Sequence, residues 1–291
     1  MLDRRTFFTA LALMPALSPL TSYAMQATTD INQALADLEK HLPGRLGVAA
    51  WDLKTGRRFA WRGGERFRMC STFKMLLVAQ TLHRADVGQE RLDRRVRYGK
   101  VVLGNSPITQ AHTANGLTIA ELCAAAITVS DNTAANLLLD ANGGPAALTA
   151  FLRSIGDTTT RCDRHEPELN FGPAGDPRDT TTPEAILASW HSLLLGDVLS
   201  PASRTRLTDW LVANKTGDTR LRAGLPKTWR IGDKTGNDGQ SITNDIAIAW
   251  PGDRRPLLIS TFLSEAPNTD DLRDGAIAEV GRILVRAGLG A

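Results

Sequence analysis

The chain has 291 residues, of which 42% are hydrophobic and 22% charged, and its formal net charge is +3. These values are typical of a soluble globular protein with one or two domains and a large buried core. The basic residues form no cluster in the body of the chain, which argues against nucleic-acid binding.

The N-terminal residues have the pattern of an export signal. Two arginines stand in residues 3–8, an apolar stretch covers residues 10–20, and small residues suited to cleavage follow in residues 22–24. The stretch is too short and too interrupted by proline to span a membrane, and paired arginines are typical of the twin-arginine route. We therefore expect residues 1–24 to be a removed signal peptide. The mature protein, residues 25–291, would be periplasmic or secreted, without a stable membrane anchor.

Apolar periodicity predicts strands near both ends of the chain and helices between them. Ile31, Leu35 and Leu38 recur at helical spacing, and Pro43-Gly44 stops that helix. The predicted elements are a helix at 31–42, strands at 46–51 and 58–61 around a turn at 54–56, helices at 73–83, 118–127, 133–140, 145–154, 183–195 and 201–213, strands at 229–233, 245–251 and 256–263, and a closing helix at 272–287.

Strands segregated from helices indicate an α+β fold. We expect an antiparallel five-stranded sheet formed from both chain ends and flanked by helices, with an inserted all-helical subdomain. Residues 25–291 would form one catalytic domain, with an α/β part at about 25–66 and 214–291 and a helical part at about 67–213. A ligand site would lie in the crevice between the two parts.

Ser71 and Lys74 open the first helix of the middle block. Residues three apart lie on the same face of a helix, so the lysine would stand beside the serine. An amine can accept the proton of a hydroxyl and activate it, and a helix N-terminus offers N–H groups to an oxyanion. The pair predicts a serine nucleophile, although the same residues also occur in ordinary helix starts.

Ser130-Asp131-Asn132 stands at the start of another helix. As a structural motif it is a helix cap followed by an acidic first turn. As a functional motif, Ser130 relays a proton to a leaving nitrogen and Asn132 offers its amide to a substrate carbonyl.

Lys234-Thr235-Gly236 ends a predicted strand. The glycine allows a ligand or a second chain segment to approach the strand edge. Lys234 and Thr235 would hold an anionic group.

Residues 161–183 form a long polar segment rich in proline, glycine and aspartate, which predicts a loop. A loop of this length in a compact fold is often functional. Glu166 is a candidate general base within it, and Asn170 could hold a water molecule. His165 is expected to be solvated rather than catalytic.

Taken together, these motifs resemble those of the class A serine β-lactamases. The resembling set is Ser71-x-x-Lys74, Ser130-Asp131-Asn132, Glu166-x-x-Leu169-Asn170 and Lys234-Thr235-Gly236. The resemblance covers essentially the whole mature chain. It implies an enzyme that hydrolyses the β-lactam amide of penicillins and cephalosporins through an acyl-enzyme on Ser71, and so confers antibiotic resistance.

The resemblance also implies residue roles. The backbone N–H groups of Ser71 and Asn237 would form the oxyanion hole, and water activated by Glu166 would hydrolyse the acyl-enzyme. Either Lys74, or Glu166 through a water molecule, would take the proton from Ser71; both alternatives remain open. Asn132 would bind the side-chain amide of the drug.

β-Lactams carry a carboxylate, and the resemblance implies that Lys234, Thr235 and Thr243 help to bind it. The family also places an arginine at this group. Arg220 fits that position, and Arg222 is the competing candidate.

Three further features bear on the family's pattern. Arg164 and Asp179 would form an ion pair that closes the ends of the loop. The family usually has an aromatic residue where this chain has Asn105. Cys70 resembles a half-cystine of some members, but its partner position here is Asp238, so we expect no disulfide.

Two other functions share part of this pattern. A penicillin-binding D-Ala-D-Ala peptidase, or a non-hydrolysing β-lactam sensor module, would acylate without rapid turnover, and the segment that contains Glu166 argues against both. We expect small β-lactams as substrates, no nucleic-acid partner, no metal or organic cofactor, and a monomer.

Overall fold

The computed structural model describes residues 19–101, 103–267 and 269–291, with only the backbone described for residues 19–29. Most of the predicted signal peptide therefore lies outside the described residues. The helices are α1 (Pro19–Lys40), α2 (Phe73–Asp86), α3 (Pro107–Ala111), α4 (Ile119–Thr128), α5 (Asn132–Ala141), α6 (Pro145–Ser154), α7 (Pro183–Leu195), α8 (Pro201–Val212), α9 (Leu221–Gly224) and α10 (Asp270–Arg286).

One antiparallel sheet combines strands from the two ends of the chain. The strands of the described chain are β1 (Arg45–Asp52), β2 (Arg58–Trp61), β3 (Phe67–Arg68), β4 (Arg95–Val96), β5 (Leu117–Thr118), β6 (Thr180–Thr181), β7 (Arg230–Asn237), β8 (Thr243–Trp250) and β9 (Leu257–Ser264). Five of them pair in the order β2-β1-β9-β8-β7. The predicted antiparallel five-stranded sheet flanked by helices is therefore confirmed.

The sheet separates two apolar cores. On one face, α1 and α10 pack against the sheet, and on the other α2, α4 and α7 pack around a second core. The first ten residues of α2, residues 73–82, are all buried. A helix that is buried on all sides lies at the centre of a fold, and α2 thus holds its N-terminus rigidly in the crevice.

Local signals predicted several boundaries. Thr118 begins α4 with a capping box, in which its hydroxyl accepts from the N–H of Glu121 and the Glu121 carboxylate accepts from the N–H of Thr118. Thr182 caps α7 in front of Pro183. In the predicted hairpin, Asp52 accepts backbone hydrogen bonds from the turn.

Other boundaries differ from the prediction. Helix α1 begins earlier than residue 31, and β7 continues past residue 233 to Asn237. Lysine and glycine are weak strand formers, but backbone pairing with β8 keeps them in the sheet. The pairs β3–β6 and β4–β5 were not predicted, because two-residue strands have no periodicity.

Within the described ranges, no helix has the length and apolar character needed to cross a membrane.

Candidate active site

Ser71 lies in a tight turn that leads into α2. Cys70, with a positive φ of 45°, begins a short 3-10 turn over Cys70–Thr72. The hydroxyl of Thr72 donates to the carbonyl oxygen of Met69 at 2.8 Å and closes this turn. Because the turn continues directly into the buried α2, the position of the serine is fixed by the core.

Lys74 is fully buried one turn beyond Ser71 and contacts three polar residues. Its Nζ lies 3.1 Å from Glu166 Oε1 and donates to Asn132 Oδ1 at 2.6 Å. It also donates to the carbonyl oxygen of Ser130 at 2.8 Å and to its Oγ at 3.2 Å. Burial lowers the pKa of Lys74 below its ordinary value, while the charge of Glu166 opposes that shift.

Three groups converge on the Glu166 carboxylate, two of them on one oxygen. The Ser71 hydroxyl donates to Glu166 Oε1 at 3.3 Å, and the same oxygen faces Lys74. The other oxygen, Oε2, accepts from Asn170 Nδ2 at 2.6 Å. Within the described chain, the buried Oδ1 of Asn170 has no hydrogen-bond partner. The geometry therefore places a carboxylate directly at the serine hydroxyl, with the acceptor Asn170 Oδ1 beside it.

The loop that carries Glu166 is held in the middle and at its ends. Asn136 of α5 accepts from the Glu166 N–H at 2.9 Å and donates to the Glu166 carbonyl oxygen at 2.8 Å. The Glu166–Pro167 peptide bond is cis. At the ends, Arg164 Nε lies 2.6 Å from Asp179 Oδ2, so the predicted ion pair is present.

Ser130 lies between two buried ammonium groups. Lys234 Nζ donates to Ser130 Oγ at 3.1 Å, opposite the 3.2 Å contact from Lys74. Ser130 has a positive φ of 59°, and the next residue, Asp131, caps α5 by accepting from the N–H of Ala134. Burial, followed by the charge of Lys74, lowers the pKa of Lys234 well below its ordinary value.

Strand β7 passes very close to the turn that contains Ser71. A Cβ added to Gly236 would lie 2.7 Å from the Met69 carbonyl oxygen and 3.1 Å from the Ser71 nitrogen. Only glycine fits this approach without a shift of backbone. The close contact brings the exposed Asn237, the last residue of β7, next to the nucleophile.

The two candidate arginines have different environments. Arg220 donates from Nη1 to the carbonyl oxygens of Gly236 and Asn244, and its Nε lies 2.7 Å from Asp274. Arg222 instead forms an ion pair of 2.6 Å with Asp233 and donates to carbonyls at the end of α8. Both arginines therefore contact β7: Arg222 at Asp233, directly before the Lys234-Thr235-Gly236 motif, and Arg220 at Gly236, within it.

The two candidate threonines also differ. The hydroxyl of Thr235 lies 2.5 Å from that of Thr216, in the segment between α8 and α9. Thr243 is fully buried opposite Asn237, and its hydroxyl accepts from Arg273 Nε at 3.1 Å. Thr243 therefore contacts α10. Within the described chain it has no hydrogen bond to Ser130, Lys74 or Lys234.

No role was predicted for three residues that shape this site, although Asn105 was noted where the family usually has an aromatic residue. Asn136 holds the backbone of Glu166, and Thr216 contacts Thr235. Asn105 donates from Nδ2 to the Ser130 carbonyl oxygen at 2.9 Å and accepts from the Asn132 N–H at 2.9 Å. The sequence offered a signal for Asn136. It follows Asn132 by four residues, so the two share a helix face.

The remaining polar candidates lie apart from this chemistry. His165 contacts Asp140 at 2.9 Å and does not face the nucleophile. The side chains of Cys70, Cys123 and Cys162 are free and buried, and burial raises the pKa of each thiol. No group of three or more metal-ligating side chains occurs among the described residues.

Comparisons with known proteins identify the family of this chain. Residues 29–287 match the model of the Beta-lactamase enzyme family. The β-lactamase L2 of Stenotrophomonas maltophilia is 48% identical over 273 residues, which are 93% of this chain and 89% of that protein.

Solved structures give the same answer. An ancestral (GNCA) class A β-lactamase is 63% identical with a TM-score of 0.86, covering 88% of this chain and 99% of that one. The putative class A β-lactamase PenP from Rhodopseudomonas palustris is 53% identical with a TM-score of 0.86. The match covers 89% of this chain and 99% of that chain. Because the family match spans most of the chain and these identities are high, the chain belongs to the class A β-lactamase family.

Proposed function

We propose that this protein hydrolyses the β-lactam amide of penicillins and cephalosporins through an acyl-enzyme on Ser71. As a class A β-lactamase it is a hydrolase that acts on β-lactams and confers resistance to them. The observation that carries the residue assignment is the convergence of Ser71 and Lys74 on one oxygen of the buried Glu166.

Acylation begins when Ser71 Oγ attacks the lactam carbonyl carbon. The direct hydrogen bond of 3.3 Å from Ser71 to Glu166 supports Glu166 as the group that accepts the serine proton. Lys74 stabilises the negative charge of that carboxylate. The N–H groups of Ser71 and Asn237 hold the oxyanion, and the close approach at Gly236 supports this pairing.

Ser130 protonates the lactam nitrogen as the ring opens. Its hydroxyl is within 3.2 Å of both Lys74 and Lys234, so a proton given to the nitrogen can be replaced from the Lys74 ammonium group. Glu166, which lies 3.1 Å from Lys74, then passes the serine proton to that lysine and is a carboxylate again before deacylation. Asn132, oriented by Lys74, binds the amide of the drug's side chain.

Deacylation uses a water molecule held by Glu166 and Asn170. The carboxylate acts as a general base, and Asn170 Oδ1 supplies an acceptor that no described residue uses. This base distinguishes a hydrolase from a D-Ala-D-Ala peptidase and from a sensor module, both of which would remain acylated.

The substrate carboxylate binds at the strand that contains Lys234, Thr235 and Gly236. Arg220 adds positive charge there, because its guanidinium contacts the Gly236 carbonyl oxygen at 3.2 Å. Thr243 can contribute its hydroxyl proton, since among the described residues that oxygen accepts from Arg273 and is not seen to donate. The mature enzyme, residues 25–291, would act as a monomer in the periplasm after twin-arginine export.

The test is turnover of a chromogenic cephalosporin by the mature protein, with intact-mass detection of adducts. We expect rapid turnover and no lasting adduct. Glu166→Gln should lower kcat by about 10³-fold, because general-base catalysis contributes about 10²–10⁴-fold and the same carboxylate serves both steps. Acyl-enzyme that accumulates in this variant would assign the serine proton to Lys74 instead. Ser71→Ala should give neither turnover nor adduct.

Glu168→Gln is the matched control, since Glu168 is an exposed carboxylate in the same loop. It should leave turnover unchanged. A stable adduct on the unsubstituted protein, without turnover, would identify a sensor or peptidase and refute the role of Glu166.

A further inference from the structure

A cavity of about 340 Å³ lies beside the active site, between the loop that carries Glu166 and the turn that joins β7 to β8. Asn170 lines it from the catalytic side, and Asp238, which follows Asn237, lines it from the strand side. Three arginines also line it: Arg45, Arg66 and Arg68. The cavity therefore borders the site and is lined by three arginines and three carboxylates, those of Asp176, Asp238 and Glu265.

The carboxylates around this cavity already have partners. Asp176 lies 2.8 Å from Arg178 Nη2, and Glu265 lies 3.7 Å from Arg45. Asp238 Oδ1 accepts three backbone N–H groups of its own turn, each at 2.8 Å. These contacts offset the negative charges locally, so they leave the arginines as the groups that can bind a ligand.

Of the three arginines, Arg68 is the one with an unsatisfied nitrogen. Arg45 lies 3.1 Å from Glu65, and Arg66 donates to Thr180 Oγ1 at 3.0 Å. Arg68 is only 9% exposed, and its buried Nη1 has no hydrogen-bond partner in the described chain. A buried donor without a partner is costly, because it has lost its hydration without gaining an acceptor.

The position of Arg68 is set by the fold. Arg68 lies in β3, pairs with Thr180 of β6, and precedes Ser71 by three residues. Its guanidinium lies against the loop at Gly172, where an added Cβ would approach Nη2 within 2.7 Å. The cation is therefore held at the wall of the cavity rather than free to leave for solvent.

We propose that this cavity is an anion subsite in which Arg68 recognises a carboxylate on the acylamino side chain of the β-lactam substrate. The inference rests on the proposed function, in which Asn132 and the end of β7 hold that side chain. A substituent that leaves the lactam ring past Asn237 meets Asp238 and Asn170, both of which line the cavity. A carboxylate there would supply a charge-assisted hydrogen-bond acceptor to the Arg68 guanidinium.

The test compares two penicillins that differ only in that charge: benzylpenicillin, whose side chain is neutral, and carbenicillin, which adds a carboxylate at the side-chain α-carbon. Arg68→Gln should lower kcat/KM for carbenicillin about 10-fold or more relative to benzylpenicillin, as expected for the loss of one charge-assisted hydrogen bond. Arg68→Lys should retain part of the preference. Arg66→Gln, the matched control, changes a cavity arginine that already has partners and should not alter the ratio.

The ratio of kcat/KM for carbenicillin to that for benzylpenicillin, taken within each variant, separates substrate recognition from folding. A loss of folded enzyme lowers both values equally and leaves the ratio unchanged. An unchanged ratio in Arg68→Gln, with benzylpenicillin still hydrolysed, would overturn the subsite. If the unsubstituted enzyme hydrolysed neither penicillin, the proposed function itself would fail.

Inorganic phosphate distinguishes a substrate subsite from a site for free anions. If millimolar phosphate raised the melting temperature of the unsubstituted protein but not of Arg68→Gln, while the penicillin ratio stayed unchanged, the cavity would bind free anions. That result would overturn the assignment to the substrate.

Discussion

At the scale of single residues, the unusual feature is a serine hydroxyl shared by two buried lysines. Lys74 and Lys234 both donate to Ser130 Oγ, at 3.2 and 3.1 Å. Burial lowers the pKa of each, and the charge of Lys74 lowers that of Lys234 further. Because the two ammonium groups interact, they titrate as a pair.

The first prediction concerns the pH dependence of activity. In the proposed function, Lys234 must be protonated to hold the substrate carboxylate. Because its pKa is lowered, Lys234 loses that proton at a lower pH than a free lysine does. We expect kcat/KM to fall on the alkaline side at a pH below about 10.4, the ordinary value for lysine.

Lys234→Arg should move this alkaline limb to higher pH, because a guanidinium stays charged. The measurement is a pH profile of kcat/KM for both proteins. A limb that does not move would show that another group controls it.

At the scale of elements, the site depends on how closely β7 approaches the turn before α2. Gly236→Ala would place a methyl group 2.7 Å from the Met69 carbonyl oxygen. Both partners are backbone, so the strand must move away and carry the Asn237 N–H with it. We expect kcat to fall by about 10²–10³-fold, as for the loss of an oxyanion-hole donor.

A matched control is available in α10. Gly275 is exposed, and an added Cβ there would meet no atom within 4 Å. Gly275→Ala should keep full activity and stabilise the protein by about 0.5–1 kcal/mol, because alanine favours the helix. Steady-state kinetics and thermal unfolding of both variants measure these effects. Normal turnover by Gly236→Ala would contradict the role of β7 in positioning the Asn237 N–H.

At the scale of the whole molecule, the sheet carries buried carboxylates that do not take part in catalysis. Asp245 in β8 is fully buried, accepts from the Leu221 N–H at 3.1 Å, and leaves Oδ1 without a partner in the described chain. Burial, followed by the charge of Asp233, raises its pKa well above the ordinary value. Such a group reduces the stability of the fold when it is ionised.

The sign of the pH effect follows from that shift. Because the folded-state pKa of Asp245 is raised, the folded protein binds more protons than the unfolded chain above about pH 4. The contribution of Asp245 to stability is therefore lost as pH rises towards the folded-state pKa. Asp245→Asn cannot ionise. The variant should gain stability relative to the unsubstituted protein as pH rises, by about 1 kcal/mol at neutral pH.

Denaturant unfolding at several pH values measures this difference. Asp253→Asn, which changes an exposed aspartate, should show no such trend. A constant difference between Asp245→Asn and the unsubstituted protein across pH would contradict a raised pKa.

Local rules predicted most of the regular structure. The capping residues Thr118 and Thr182 marked helix starts, and helical spacing found α6 and α7 with their observed bounds. These signals act within a few residues, so sequence alone reveals them. The end of β7 and the short β3–β6 pair depend on a neighbouring strand, which no local pattern encodes.

The sequence by itself determined the family and the identity of the motif residues, because Ser71, Lys74, Ser130, Glu166 and Lys234 stand in short motifs that can be read without the fold. Only the tertiary structure decided their geometry. Ser71 and Glu166 are 95 positions apart and meet at 3.3 Å, and Ser130 and Lys234 are 104 apart and meet at 3.1 Å. The contact of Arg220 with Gly236, the pairing of Arg222 with Asp233 and the buried Arg68 Nη1, which has no partner in the described chain, likewise depend on distant residues. Contacts of this kind are set by the packing of the sheet against the helices, and local sequence does not specify them.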